Sequence, residues 1–170
     1  GNPYKSNTLV VYFDFDAPEI LDISTPVSTS APSKASPIPF RIEFSEPVLG
    51  FDLNALTVQG GTVANNVLMY RDSTGMRVAA YVPSSVVEFK VHPDMFEVTL
   101  AVLVEANSGI KDVAGNHLEM GSIPVIVSYD SIPPTCVLSS SSAMDGYSKE
   151  PVLMVTIVFN EQVSELVTSD

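Results

Sequence analysis

The sequence predicts an all-β fold, one complete two-sheet sandwich flanked by parts of two neighbouring copies, and three observations carry this. Short apolar runs alternate with polar residues at a period of two, and no window has convincing helical periodicity. Gly, Pro, Asp and Asn interrupt those runs at short intervals, as turns between strands require. Finally, the loop Asp112-Val113-Ala114-Gly115-Asn116, the apolar run 123–129 and the exit Asp130-Ser131-Ile132-Pro133-Pro134 recur at the start of the chain. There they are shortened to Gly1-Asn2, Leu9-Val10-Val11-Tyr12-Phe13 and Asp14-Phe15-Asp16-Ala17-Pro18.

In chain order, residues 7–13 alternate around Leu9, Val11 and Phe13 and read as the last strand of a preceding unit. Pro18 lacks the amide hydrogen a ladder needs, so the strand ends before it and a new one starts over 19–24. Residues 24–39 are Ser-, Thr- and Pro-rich and are expected to form a loop or irregular edge, open to O-linked sugars in a host that adds them. Ile38, Phe40, Ile42 and Phe44 face one way and Arg41 and Glu43 the other, the clearest core strand in the chain. A turn is expected at 45–48, then short strands over 53–58 and 62–71 about Gly60-Gly61. Asp72-Ser73-Thr74-Gly75 is a turn signal. Strands follow over 76–82, 86–91 and 95–105, the last with Phe96, Val98, Leu100, Val102 and Val104 on its inner face. After the 107–116 loop, Ile123, Val125, Val127 and Tyr129 close the unit, giving about seven to nine strands between Asp16 and Pro133.

The remaining residues start the unit again. A shift of 159 − 44 = 115 carries Ile38, Phe40, Ile42 and Phe44 onto Leu153, Val155, Ile157 and Phe159, while Arg41 and Glu43 become Thr156 and Val158. At the exits the shift is 130 − 14 = 116, and Leu9, Val11, Phe13 and Pro18 fall on Val125, Val127, Tyr129 and Pro134. A period of that length suits a sandwich rather than a solenoid. The expected organisation is therefore 1–15 as the last strand of one repeat, 16–133 as a whole repeat and 134–170 as the first strands of the next. Those first strands leave an open apolar edge unless further polypeptide covers it.

Composition narrows the function. Of 170 residues, Lys and Arg number 8 and Asp and Glu 20, a formal charge of −12. Such a surface repels phosphate backbones and anionic lipid, so neither nucleic acid nor a membrane surface is an expected partner. No stretch approaches the roughly 18 apolar residues of a membrane helix. The single cysteine, Cys136, allows neither an internal disulfide nor a cysteine-based zinc site. It falls on Ile20 in the repeat and is expected to be buried.

Several segments together resemble the bacterial-type immunoglobulin-like repeats found in tandem in surface adhesins and other extracellular proteins. These are Phe44-Ser45-Glu46-Pro47-Val48 with Gly50-Phe51, Leu56-Thr57-Val58 before Gly60-Gly61-Thr62, Tyr81-Val82-Pro83, the 112–116 loop and the 130–134 exit. Two departures stand out: residues 84–94 lack the Gly usual before that strand, and Gln162 replaces Pro47 in the next unit. The resemblance implies an immunoglobulin-like sandwich outside the cell or on its surface, a spacer or adhesive module with no catalysis. Its partners are then neighbouring repeats of the same polypeptide or of an adjacent subunit, and a glycan or protein ligand bound through loops such as 60–66 or 72–75. An accessory domain of a larger extracellular enzyme is the third reading.

The candidate chemistry is acidic. Glu46, Asp112, Asn116 and Asp130, with Asp14, Asp16 and Asn2 at the first junction, carry the oxygen ligands Ca2+ takes, and a cation there would stiffen a domain junction. The competing reading is that Asp112 and Asn116 hold their loop by bonds to backbone amides, with Gly115 at positive φ. His92 and His117 stand apart beside turn residues, with no nucleophile or second histidine at ligand spacing. Glu43 and Glu46 do not share a face. Phe40, Phe44, Phe96 and Tyr129 are expected in the core.

Overall fold

The structure is a computed structural model that describes residues 9–140, 147, 149 and 151–164. Asn2 and residues 7–8 lie outside the described residues. The chain divides into two compact units, residues 1–131 and 132–170.

The first unit is built from two antiparallel sheets. The larger runs in the order β1 (Ile20–Ser24), β2 (Ile38–Leu49), β7 (Ser84–Pro93), β5 (Met69–Arg71), β6 (Arg77–Val78). Two short strands join it, β4 (Gly61–Val63) on β7 and β9 (Lys111–Asp112) on β2. The smaller sheet runs β10 (Val125–Asp130), β8 (Glu97–Val104), β3 (Leu56–Gln59). Both sheets contribute to one apolar core: Ile38, Phe40, Ile42 and Phe44 of β2 are at most 2% exposed, and Val87, Phe89, Val91, Leu100, Val102, Val104 and Val127 join them. Alternation along β2 thus delivers the packing its sequence predicts. Phe40 lies opposite Phe89 across the ladder, and their rings stack at 5.7 Å.

Several elements differ from the sequence reading. Residues 9–13 form no strand, and Leu9, Tyr12 and Phe13 are exposed. An alternating segment becomes a strand only when it has a ladder and a facing layer, and no described residue supplies either. No turn forms at 45–48. β2 continues to Leu49 with a register shift between Glu43 and Val48, because Pro47 cannot donate to the ladder while Val48 rejoins it opposite Ser84 and Asp112. The 62–71 strand is split by a 3-10 turn over 64–66, where Asn65 and Asn66 take φ of 55° and 52°. The 53–58 strand begins as a 3-10 turn over Leu53–Ala55, capped by the Asp52 carboxylate, which accepts from the Asn54 amide at 2.8 Å. Only Arg77–Val78 of the 76–82 strand forms. Phe96 is 77% exposed rather than in the core, because β8 starts one residue later. The short strands β4, β6 and β9 bring the number between Asp16 and Pro133 to ten among the described residues.

The second unit contains one described hairpin, β11 (Cys136–Ser139) with β12 (Thr156–Phe159). Cys136 is exposed, against expectation, since among the described residues no second layer covers β11. The hairpin register is informative. β1 and β2 pair Ile20 with Phe44, Asp22 with Glu43, Ile23 with Ile42 and Ser24 with Arg41. β11 and β12 pair Cys136 with Phe159, Val137 with Val158, Leu138 with Ile157 and Ser139 with Thr156. Under the shifts of 116 at Cys136 and 115 elsewhere these are the same four pairs, and the one-residue change coincides with the register shift at Leu21 in β1. The hairpin bases match as well. Glu19 N donates to Ser45 Oγ at 2.9 Å and Ser45 N to Glu19 O at 2.9 Å. Thr135 N donates to Asn160 Oδ1 at 2.7 Å and Asn160 N to Thr135 O at 3.0 Å.

Candidate functional site

Within the first unit, three parts of the chain meet where it enters the larger sheet. The extended segment ahead of β1 brings Asp14 and Asp16. The irregular stretch of β2 between Glu43 and Val48 brings Glu46. The end of β9 brings Asp112 and the turn after it Asn116, held beside β2 by the pairing of Val48 with Asp112. One carboxylate oxygen each from Asp14, Glu46 and Asp112 lies within 4.8 Å of the others.

Asp112 is 1% exposed and organises the turn. Its Oδ1 accepts from the amides of Gly115 at 2.5 Å and Asn116 at 2.8 Å, and its own amide donates to Asn116 O at 3.0 Å. Gly115 sits at φ +103°, where a side chain would be strained, so a glycine closes this loop. The Asn116 side chain then reaches outward. Its Nδ2 donates to Asp112 Oδ2 at 2.7 Å, Asp16 O at 3.0 Å and Asp14 O at 3.2 Å. Asn116 thereby ties the entering chain to the sandwich and places a donor among oxygens that otherwise repel one another. The Asp14 carboxylate also accepts from the Asp16 amide at 3.1 Å.

Electrostatics separate the two inner carboxyls. Burial pushes the Asp112 carboxyl up, but the bonds from the Asn116 side chain and from the amides of Asn116, Gly115 and Ala114 together hold it below the usual aspartate value. Glu46 has no such donors among the described residues. Burial, then the charges of Asp112, Asp14 and Asp16, raise its pKa above the usual glutamate value. A cation would relieve that repulsion, and the free lone pairs of three carboxylates suit a hard ion such as Ca2+. The loop bonds do not by themselves require one. Asp72 closes its own turn in the same way, accepting from Thr74 N at 2.9 Å and Met76 N at 3.0 Å, and among the described residues it belongs to no cluster of three possible metal ligands.

Asp130 does not join this group. β10 begins at Val125, which lines a groove of about 870 Å3 shared with Glu46 and Asp16, and Asp130 lies five residues further along the strand, about 17 Å away. That groove runs between β1 and the 119–125 segment and carries Asp16, Glu19, Asp22, Glu46 and Glu119. The histidines are surface residues, His92 opposite Thr62 on β7 and β4, His117 bridged to Lys111. Glu43 pairs with Arg41 at 2.5 Å on the outer side of β2. The chain tie made by the Asn116 amide was not predicted from sequence; the recurrence of Asp14 and Asp16 beside a Pro-marked exit was the signal that pointed to this place. No protein-family model, curated protein or solved structure matches the chain.

Proposed function

We propose that the chain is a non-catalytic structural module of an extracellular or cell-surface polypeptide, built of tandem immunoglobulin-like repeats that space or assemble what they carry. The observation that carries this reading is the hairpin β11–β12, which reproduces the register and the base bonds of β1–β2 at the repeat shift. Sequence recurrence alone can arise from shared β-propensity. A shared register, with a reciprocal pair of bonds at the same equivalent residues, argues for the same supersecondary unit. The strand order of the first unit agrees. Taking β1, β2, β3, β5, β7, β8 and β10 as strands A to G, the sheets read A-B-E-D and G-F-C, the arrangement of a constant-type immunoglobulin sandwich.

A spacer needs junctions that do not flex freely, and the Asn116 tie to Asp14 and Asp16 supplies a restraint where the chain enters the sandwich. Ca2+ bound by Asp14, Glu46 and Asp112 would strengthen it by neutralising the three carboxylates. Small-angle scattering of a two-repeat polypeptide tests the reading. A narrow, elongated distribution of shapes is expected, tightening further with Ca2+; a broad distribution in both conditions overturns the spacer role.

A further inference from the structure

The acid-lined groove of about 870 Å3 has both of its walls within the sandwich of the first unit. One wall is β1, fixed to the larger sheet by its pairing with β2. The other is the 119–125 segment, fixed to the smaller sheet: Ser122 N donates to Val104 O at 3.0 Å, and Val104 N donates to Ser122 Oγ at 2.9 Å. Gly121 approaches β8 so closely that a Cβ there would stand 2.5 Å from Val104 O. Pro18 and Pro124 both line the gap, and neither has an amide hydrogen with which the two walls could zip together. The groove is thus held open from within, and its volume is that of a ligand site rather than of a single ion.

Its lining combines two chemistries. Asp16, Glu19, Asp22, Glu46 and Glu119 supply carboxylates, and no Lys, Arg or His lines the groove with them. None of the five has an ion-pair partner among the described residues. Leu21, Met120 and Ile123 add apolar surface and are 61%, 77% and 86% exposed. We propose that this groove binds an extended cationic peptide segment of another protein, with Arg or Lys side chains on the carboxylates and an apolar side chain against Leu21, Met120 and Ile123. Charge selects the occupant, because a cleft lined by one sign in a chain of formal charge −12 draws in the opposite sign. The same excess makes a second copy of this chain a poor occupant, since two such chains repel. Arg fits better than Lys, because its planar fork takes a carboxylate through two bonds. The apolar surface separates a peptide from a polyamine, which has nothing to place on it. This inference goes beyond the repeat reading and does not rest on it.

Fluorescence anisotropy of the whole chain with three labelled eight-residue peptides tests this, one alternating Arg with Val, one Arg with Ser and one Glu with Val. The Arg–Val peptide should bind, the Arg–Ser peptide about threefold or more weakly, and the Glu–Val peptide not at all. Glu19→Gln with Glu119→Gln should weaken the Arg–Val peptide about three- to tenfold. Asp94→Asn with Glu97→Gln makes the same change of charge at the end of β8 remote from Val104, and should shift binding less than about twofold. Ile123→Ser should abolish the preference for Val over Ser while leaving Arg–Ser binding unchanged. These side chains are exposed, so thermal midpoints should stay near that of the wild type. Absence of binding, an equal loss from the Asp94 and Glu97 changes, equal affinity for the two Arg peptides, or chain dimers that disappear in the Glu19 and Glu119 variant each overturns the proposal. Loss of peptide binding leaves the spacer role standing, and a flexible two-repeat rod in scattering leaves the groove standing.

Discussion

The amide of Asn116 stands among oxygens from Asp14, Asp16 and Asp112, doing with two N–H bonds part of what a cation would do with charge. Replacing it by Ala leaves Asp112 Oδ2 without its donor and the entering chain untied. Asn116→Ala should lower the thermal midpoint of the first unit by about 3–6 °C, measured by circular dichroism. Asn116→Asp should be worse, since it adds a fourth carboxylate, and should be restored by millimolar Ca2+ more than the wild type is stabilised; no differential response to Ca2+ would argue against a cation at this place. Glu46 sets the pH response. Its pKa is raised in the folded state, so its contribution to stability is fully present below its ordinary value of 4.5 and is lost as pH rises through the raised value. Asp112 works in the opposite sense: its contribution is present above 3.8 and lost as pH falls through the lowered value. Urea midpoints from about pH 3 to pH 7 should therefore fall toward neutrality in the wild type. In Glu46→Gln that fall should flatten while the loss on the acid side remains.

Among the elements, β2 dominates, because it pairs with β1, β7 and β9 and supplies five residues at most 2% exposed, Ile38, Phe40, Ile42, Phe44 and Val48. Ile42→Ala should cost about 2–4 kcal/mol, read as a shift of the denaturant midpoint, and Phe40→Ala about 3–5 kcal/mol with loss of the Phe89 stack. Leu9→Ala, equally apolar but 86% exposed, should stay within about 0.5 kcal/mol of wild type. The same alternating pattern thus has opposite consequences in two places, depending on whether a second layer faces it. The Asn65-Asn66 pair illustrates the other limit of pattern reading. Both residues take positive φ, so Asn65→Val should cost about 1–2 kcal/mol by strain although the turn buries nothing.

For the whole molecule, the two units should differ in cooperativity. The first has a closed core shared by two sheets, whereas the described part of the second is a lone hairpin with exposed apolar residues. Hydrogen exchange should accordingly show strongly protected amides in β2, β7 and β8, and weak protection in β11 and β12. Equal protection in the two units would refute that difference.

The sequence alone determined the all-β character, the strands β1, β2, β7, β8 and β10, most of the core, and the recurrence of the strand pattern at an offset of about 115 positions, because all of these follow from side-chain alternation and from where Pro and Gly interrupt it. Asp14, Glu46, Asp112 and Asn116 were recognisable as residues of the right chemistry. That they meet, and that Asp130 lies at the other end of β10, was decided only by the tertiary structure, since proximity across 102 positions of chain depends on pairing rather than on local preference. The continuation of β2 past Pro47, the outward turn of Phe96 and the exposure of residues 9–13 were decided there too. Each depends on whether a partner strand or a facing layer is present, and a period-two pattern carries no record of its neighbour.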